Sequence, residues 1–248
     1  MNTFSVPEAI STGWQLTKKY FIISLGLVLA FMVISWLLSF IGERGDVIGW
    51  LAQLVNFVIS LIFSMGMIRI TVGAIDGEEP RFGVFKEVWS RILPYFGTSI
   101  LIAILAFIPF IIILCIGAIA LGGSALLSGD YEAILDMWWL FLLAFLPALY
   151  VSIRMFFAPY LVIDGNKGVV ESIKMSWNAT APMQGKIFLF YVVELLLILL
   201  GLVCLIVGVF VTMLVAMYAQ AYVYRMAFPP ATPDVLLVDE AKITGVVD

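Results

Sequence analysis

Apolar residues run along this chain in long blocks separated by short polar stretches, and the blocks are the length of membrane-crossing helices. About 20 apolar residues are needed to cross the hydrocarbon core of a bilayer. Four blocks meet that length: 20–41, 47–71, 95–122 and 137–158. A fifth, Ile187 to Tyr224, holds 38 residues and one charge, Glu194. As a single straight helix it would measure roughly 57 Å, nearly twice the ~30 Å core. Two helices with a tight turn between Gly201 and Gly208 fit better, because glycine permits the backbone turn. The pattern therefore predicts an all-α polytopic membrane helix bundle with six transmembrane helices.

Composition agrees. Hydrophobic residues make up 63% of the chain and charged residues 12%, whereas a soluble domain is about half apolar and a quarter charged. The excess has to face lipid. One transmembrane domain, residues 1–228, takes nearly all of the 248 residues. Residues 229–248, with Pro229, Pro230 and four acids, read as a disordered cytoplasmic tail. The first apolar run, Tyr20 to Phe40, is too long for the core of a cleavable signal, and Ser39-Phe40-Ile41-Gly42 lacks a small-residue cleavage pattern.

Charge orients the bundle. With six spans, Arg44 alone among the 13 Lys and Arg residues falls on the outer side. The positive-inside rule then makes the other side cytoplasmic, with both termini there and the chain in the cell's inner (plasma) membrane. A segment expected as an outer loop, 123–136, carries Asp130, Glu132 and Asp136 and no basic residue. Trp138 and Trp139 follow it, at the outer interface where aromatic belts form.

The sequence also repeats. Val6-x-Glu8-Ala9-Ile10-x-x-Gly13-Trp14-x-x-Thr17 matches Val169-x-Glu171-Ser172-Ile173-x-x-Ser176-Trp177-x-x-Thr180 at a constant offset of 163. A weaker middle copy places Phe85, Lys86 and Trp89 on Ile173, Lys174 and Trp177 at an offset of 88. The same offset superposes Ile75-Asp76-Gly77 on Ile163-Asp164-Gly165. Each copy reads as a short cytoplasmic amphipathic helix followed by a transmembrane hairpin, with repeats of about 1–75, 76–163 and 164–228. The stripes Val6-Ile10-Trp14 and Val169-Ile173-Trp177 suit either the headgroup layer or packing against the bundle. Ile-Asp-Gly reads as a turn, with glycine free to take positive φ. Arg69, Arg154 and Arg225 end the second helix of each hairpin, and three hairpins of one design could form a pseudo-threefold bundle.

Phe156-Phe157-Ala158-Pro159-Tyr160-Leu161-Val162-Ile163-Asp164, then Glu171-Ser172-Ile173-Lys174-x-Ser176-Trp177, then Gly185-Lys186-Ile187-Phe188 resembles the signature stretch of the YciC-like bacterial membrane proteins. It is also similar to the membrane domain fused to some glycerophosphodiester phosphodiesterases. The resemblance covers about 155–225 and implies a multi-span membrane protein. No soluble phosphodiesterase domain is present, so that activity does not carry over.

Few residues suggest chemistry. The chain has no His, which removes the commonest general base and metal ligand. No P-loop, nucleophile elbow, zinc site or nucleotide fingerprint occurs, so no catalytic residue, cofactor or metal is expected. Cys115 and Cys204 sit in apolar runs and read as small hydrophobes. Glu194, roughly 12 Å along a helix from Lys186, is the sharpest candidate. An intramembrane carboxylate either carries a proton or a cationic substrate, or makes one interhelical hydrogen bond, with Asn56 or Gln53 as the expected partner. Arg69, Arg154 and Arg225 either grip lipid phosphates or simply snorkel. Pro109 and Pro147, inside spans, act as hinges or shape packing. These features suggest a non-enzymatic accessory, envelope-related or lipid-interacting membrane protein, or else a small-solute or ion transporter using Glu194. Membrane lipids are the expected partners, with other membrane proteins or further copies of the chain possible. The scattered net charge of -4 gives nucleic acid no surface to bind.

Overall fold

In a computed structural model the described residues are 4–128 and 138–230. They form α1 (Val6–Gly42), α2 (Val47–Ile75), α3 (Val84–Glu87), α4 (Ile92–Ser128), α5 (Trp138–Arg154), α6 (Ala158–Ile163), α7 (Val169–Thr180), α8 (Gln184–Val203) and α9 (Leu205–Ala227), with no strand among them. Short 3₁₀ turns at Val88–Arg91 and Ala181–Met183 join α3 to α4 and α7 to α8. Six stretches are long and apolar enough to cross a membrane.

The apolar blocks and the helices differ at their edges in informative ways. The first span does not begin at residue 20. It continues the preceding amphipathic segment as one helix, interrupted only by non-helical backbone at Tyr20 (φ -112°, ψ 18°). Pro7 stands in the first turn, where its missing N–H leaves no bond unmade. Helix α4 runs on to Ser128, into the segment expected as a loop. Asp130, Glu132, Asp136 and the tail from residue 231 lie outside the described residues. Pro109 and Pro147 are both inside continuous helices.

The turn in the fifth apolar block is shorter than expected. Helix α8 ends at Val203, Cys204 alone breaks the backbone, and α9 starts at Leu205. Neither flanking glycine takes positive φ. They are needed for proximity instead: a β-carbon on Gly201 would strike the Thr212 hydroxyl and the Gly208 carbonyl, and one on Gly208 would strike the Gly201 carbonyl. Small residues at such crossings let helices approach closely where lipid offers no hydrophobic drive. The Ile-Asp-Gly turns also diverge. Gly77 has φ 88°, but in the second turn the left-handed residue is Asn166 (φ 56°), one place past Gly165.

The amphipathic stripes are buried only in part: Val6 is buried, Ile10, Val169 and Ile173 are half-buried, and Trp14 and Trp177 are exposed. The small-residue face beside them is buried throughout: Ala9, Gly13 and Thr17 in α1, and Ser172, Ser176 and Thr180 in α7. Helix α1 packs along α9 and α2, α4 along α5, and α8 along α9. A buried aromatic core, including Phe157, Phe190 and Tyr224, fills the end where the α1 N-terminus meets the α9 C-terminus.

All seven tryptophans are exposed and sort into two belts. Trp14, Trp89 and Trp177 lie at that end. Trp36, Trp50, Trp138 and Trp139 lie at the other, with Arg44. From Trp14 to Trp36 along α1 is roughly 33 Å, close to the ~30 Å hydrocarbon thickness. Between the belts the surface is a continuous coat of exposed Leu, Ile, Val and Phe. The chain is a multi-pass integral membrane protein.

Candidate functional site: a chamber between the helices and its polar backing

A partly open chamber of about 540 Å³ lies between the helices, with Ser64, Ser152 and Met213 of its lining exposed. Every long helix contributes to it: Phe31 from α1, Ser64 from α2, Tyr95 from α4, Ser152 from α5, Tyr191 from α8 and Gln220 from α9. Its wall is aromatic and aliphatic with scattered hydroxyls, and no Lys, Arg, Asp or Glu lines it. Several hydroxyls are tied to their own helices. Ser60 donates to the Asn56 carbonyl, Ser152 to Ala148 and Thr71 to Met67. Their oxygens remain able to accept a bond from something in the chamber.

Glu194 stands behind this wall, 5% exposed. Its partner is neither Asn56 nor Gln53. Gln220 Nε2 donates to both carboxylate oxygens, at 3.0 and 3.2 Å. Gln220 Oε1 in turn accepts from the Tyr160 hydroxyl at 3.2 Å. Asn56 donates instead to Ser39 Oγ at 3.3 Å, and Gln53 is exposed against Gly42. The reason is spacing: Asn56 and Gln53 sit near the α2 N-terminus, toward the Arg44 end, whereas Glu194 faces α9. Glu194 and Gln220 are the only carboxylate and the only side-chain amide in the block 187–224. Their uniqueness within that block is the one sequence signal of the pairing, although which helix faces meet is not local information.

No protein-family model, curated protein or solved structure matches this chain. The site therefore has to be understood from its own geometry.

The three arginines have three different environments. Arg225 is held by two carboxylates: Nε and Nη2 donate to Asp76 at 2.8 and 2.6 Å, and Nη1 and Nη2 to Asp164 at 2.7 and 2.9 Å. Tyr224 adds its hydroxyl to Asp164 at 3.0 Å. Both aspartates come from the Ile-Asp-Gly turns, so one guanidinium clasps the ends of α2 and α6 to the end of α9. The sequence marks both aspartates as turn residues, and since all three copies end in an arginine, nothing local names Arg225 as their partner. Arg69 pairs with Glu78 at 3.3 Å. Arg154, 5% exposed, has no carboxylate partner among the described residues, and its Nε and Nη1 donate to nothing. The expectation of a phosphate-gripping trio thus narrows to Arg154.

Clasp and chamber are in register. Thr71 is five residues before Asp76, Tyr160 four before Asp164, and Gln220 five before Arg225, each close to one helical turn. Three polar residues of the chamber therefore stand about one turn from the three residues of the clasp.

Proposed function

We propose that the protein is a non-enzymatic membrane protein that takes a small organic solute, neutral or cationic, into the chamber, in the manner of a transporter. The observation that carries this reading is the chamber itself, bounded by all six long helices and backed by the Glu194–Gln220–Tyr160 chain. Transporters commonly place their sites between packed hairpins, on polar groups sheltered from lipid. With no basic residue on its wall and one carboxylate behind it, the chamber disfavours an anion. The Arg225 clasp closes the end toward the basic side, which the positive-inside rule makes cytoplasmic. Release on that side requires Arg225 to part from Asp76 and Asp164. The three hairpins, each led by a short helix, would be repeats of one unit, consistent with the resemblance to YciC-like membrane proteins.

The test is uptake into proteoliposomes, with current or tracer recorded for a panel of small amines and polyols. Transport of one of them, reduced at least tenfold by Glu194→Gln while the melting temperature holds, supports the reading. Absence of any response in folded wild-type protein refutes it.

A second reading, an accessory or envelope-related protein in specific contact with lipid, is favoured by Arg154, a buried cation without an internal counter-charge.

A further inference from the structure

We infer that Arg154 is a phosphate-binding residue at the membrane edge. The inference rests on the lipid-contact reading and is independent of the chamber. Arg154 ends α5, and its backbone is held firmly. The Ser176 hydroxyl donates to its carbonyl at 2.8 Å and the Thr180 hydroxyl to the same oxygen at 3.3 Å. Ser176 also accepts the Phe157 N–H at 3.1 Å. The guanidinium carbon lies 4.1 Å from the Trp177 ring centroid and 6.0 Å from that of Tyr150. Those two rings meet edge to face, 6.0 Å apart, and both are exposed to the surroundings of the bundle.

The arrangement is a shaped cation site whose anion is missing from the protein. A guanidinium carries five N–H donors in a planar fork suited to two oxygens of one phosphate. Here Nε and Nη1 are covered and unpaired, although the half-buried Arg225 has two carboxylates. A buried charge is tolerated when it is paired and hydrogen-bonded. Stacking on Trp177 compensates part of the desolvation but satisfies none of the N–H donors. Trp177 belongs to the belt that marks the headgroup level, so Arg154 sits at the depth of lipid phosphates. Lys174, three residues before Trp177 and exposed, adds a second positive charge on the same helix.

The phosphate could belong to a phospholipid headgroup or be a free ion, and the two are separable. Full-length protein is delipidated in mild detergent, and its melting temperature and bound species by native mass spectrometry are followed on adding phosphatidylglycerol, diacylglycerol of the same chains, or inorganic phosphate. Wild type should bind and be stabilised by phosphatidylglycerol and not by diacylglycerol. An equal rise with inorganic phosphate alone would assign the same site to a free anion. Arg154→Met should lose the response, and without lipid should melt no lower than wild type. Arg154→Lys keeps the charge without the fork and should bind about tenfold more weakly; it decides the matter should the Met variant not fold. Undiminished phosphatidylglycerol binding in Arg154→Lys and Arg154→Met overturns the site while leaving a lipid-binding protein. No phospholipid response in wild type overturns the lipid-contact reading, and the lack of a response to inorganic phosphate as well overturns the site with it.

Discussion

Gln220 gives its side-chain amide to both carboxylate oxygens of Glu194, at 3.0 and 3.2 Å, across the α8–α9 hairpin. Each residue is the other's partner in a region with few alternatives. The consequence is an asymmetry between single and double substitution. Gln220→Leu leaves the carboxyl group without its donors and should destabilise the protein by ~2 kcal/mol. The double variant Glu194→Leu, Gln220→Leu removes both halves and should be closer to wild type than Gln220→Leu alone. Thermal melting of the two singles and the double in one detergent checks this. Additive losses would mean that the two side chains are not coupled.

Arg225 should be the most sensitive polar residue of the bundle. Its side chain is 11% exposed and holds two carboxylates, so Arg225→Gln strands both, at a cost of about 3–5 kcal/mol. The two acids should not be equivalent. Asp164 also accepts the Tyr224 hydroxyl and is the less exposed of the pair. Asp164→Asn should therefore lower the melting temperature more than Asp76→Asn.

Close helix approach at the α8–α9 turn predicts a steric result. Gly201→Leu forces a side chain against Thr212 and Gly208, and overpacking of this kind costs ~1–3 kcal/mol. Gly26→Ala in α1 meets nothing within 4 Å and should be neutral or stabilising by roughly 0.5–1 kcal/mol, since alanine favours helix. Unfolding of both variants by heat, side by side, separates packing from propensity.

What the sequence disclosed follows from which physics is local. Five apolar blocks, the last of double length, declare six helices because crossing a bilayer needs a fixed length of apolar chain. The split of the last block was readable from length alone, and its turn fell inside the expected window, at Cys204. Long-range choices were less legible. Whether Glu194 meets Gln220 or Asn56 depends on which faces of which helices touch, and apolar blocks with little amphipathic character do not report that. Likewise, nothing local distinguishes Arg154 from Arg225 in their Ile-Arg-Met and Tyr-Arg-Met settings. Only assembly brings Asp76 and Asp164 to one of them.

The proposed transport rests on closure of one end of the chamber by Arg225 and the two aspartates. That closure is tested most directly by thiol accessibility. In a background of Cys115→Ala and Cys204→Ala, Thr71→Cys places a thiol on a buried part of the chamber wall, just above Asp76. A small, charged, membrane-impermeant thiol reagent is applied from the side bearing the clasp, with and without Arg225→Gln. The account predicts slow labelling with Arg225 in place and labelling at least tenfold faster without it, in protein that remains folded by circular dichroism. Equal labelling rates in the two backgrounds would contradict it.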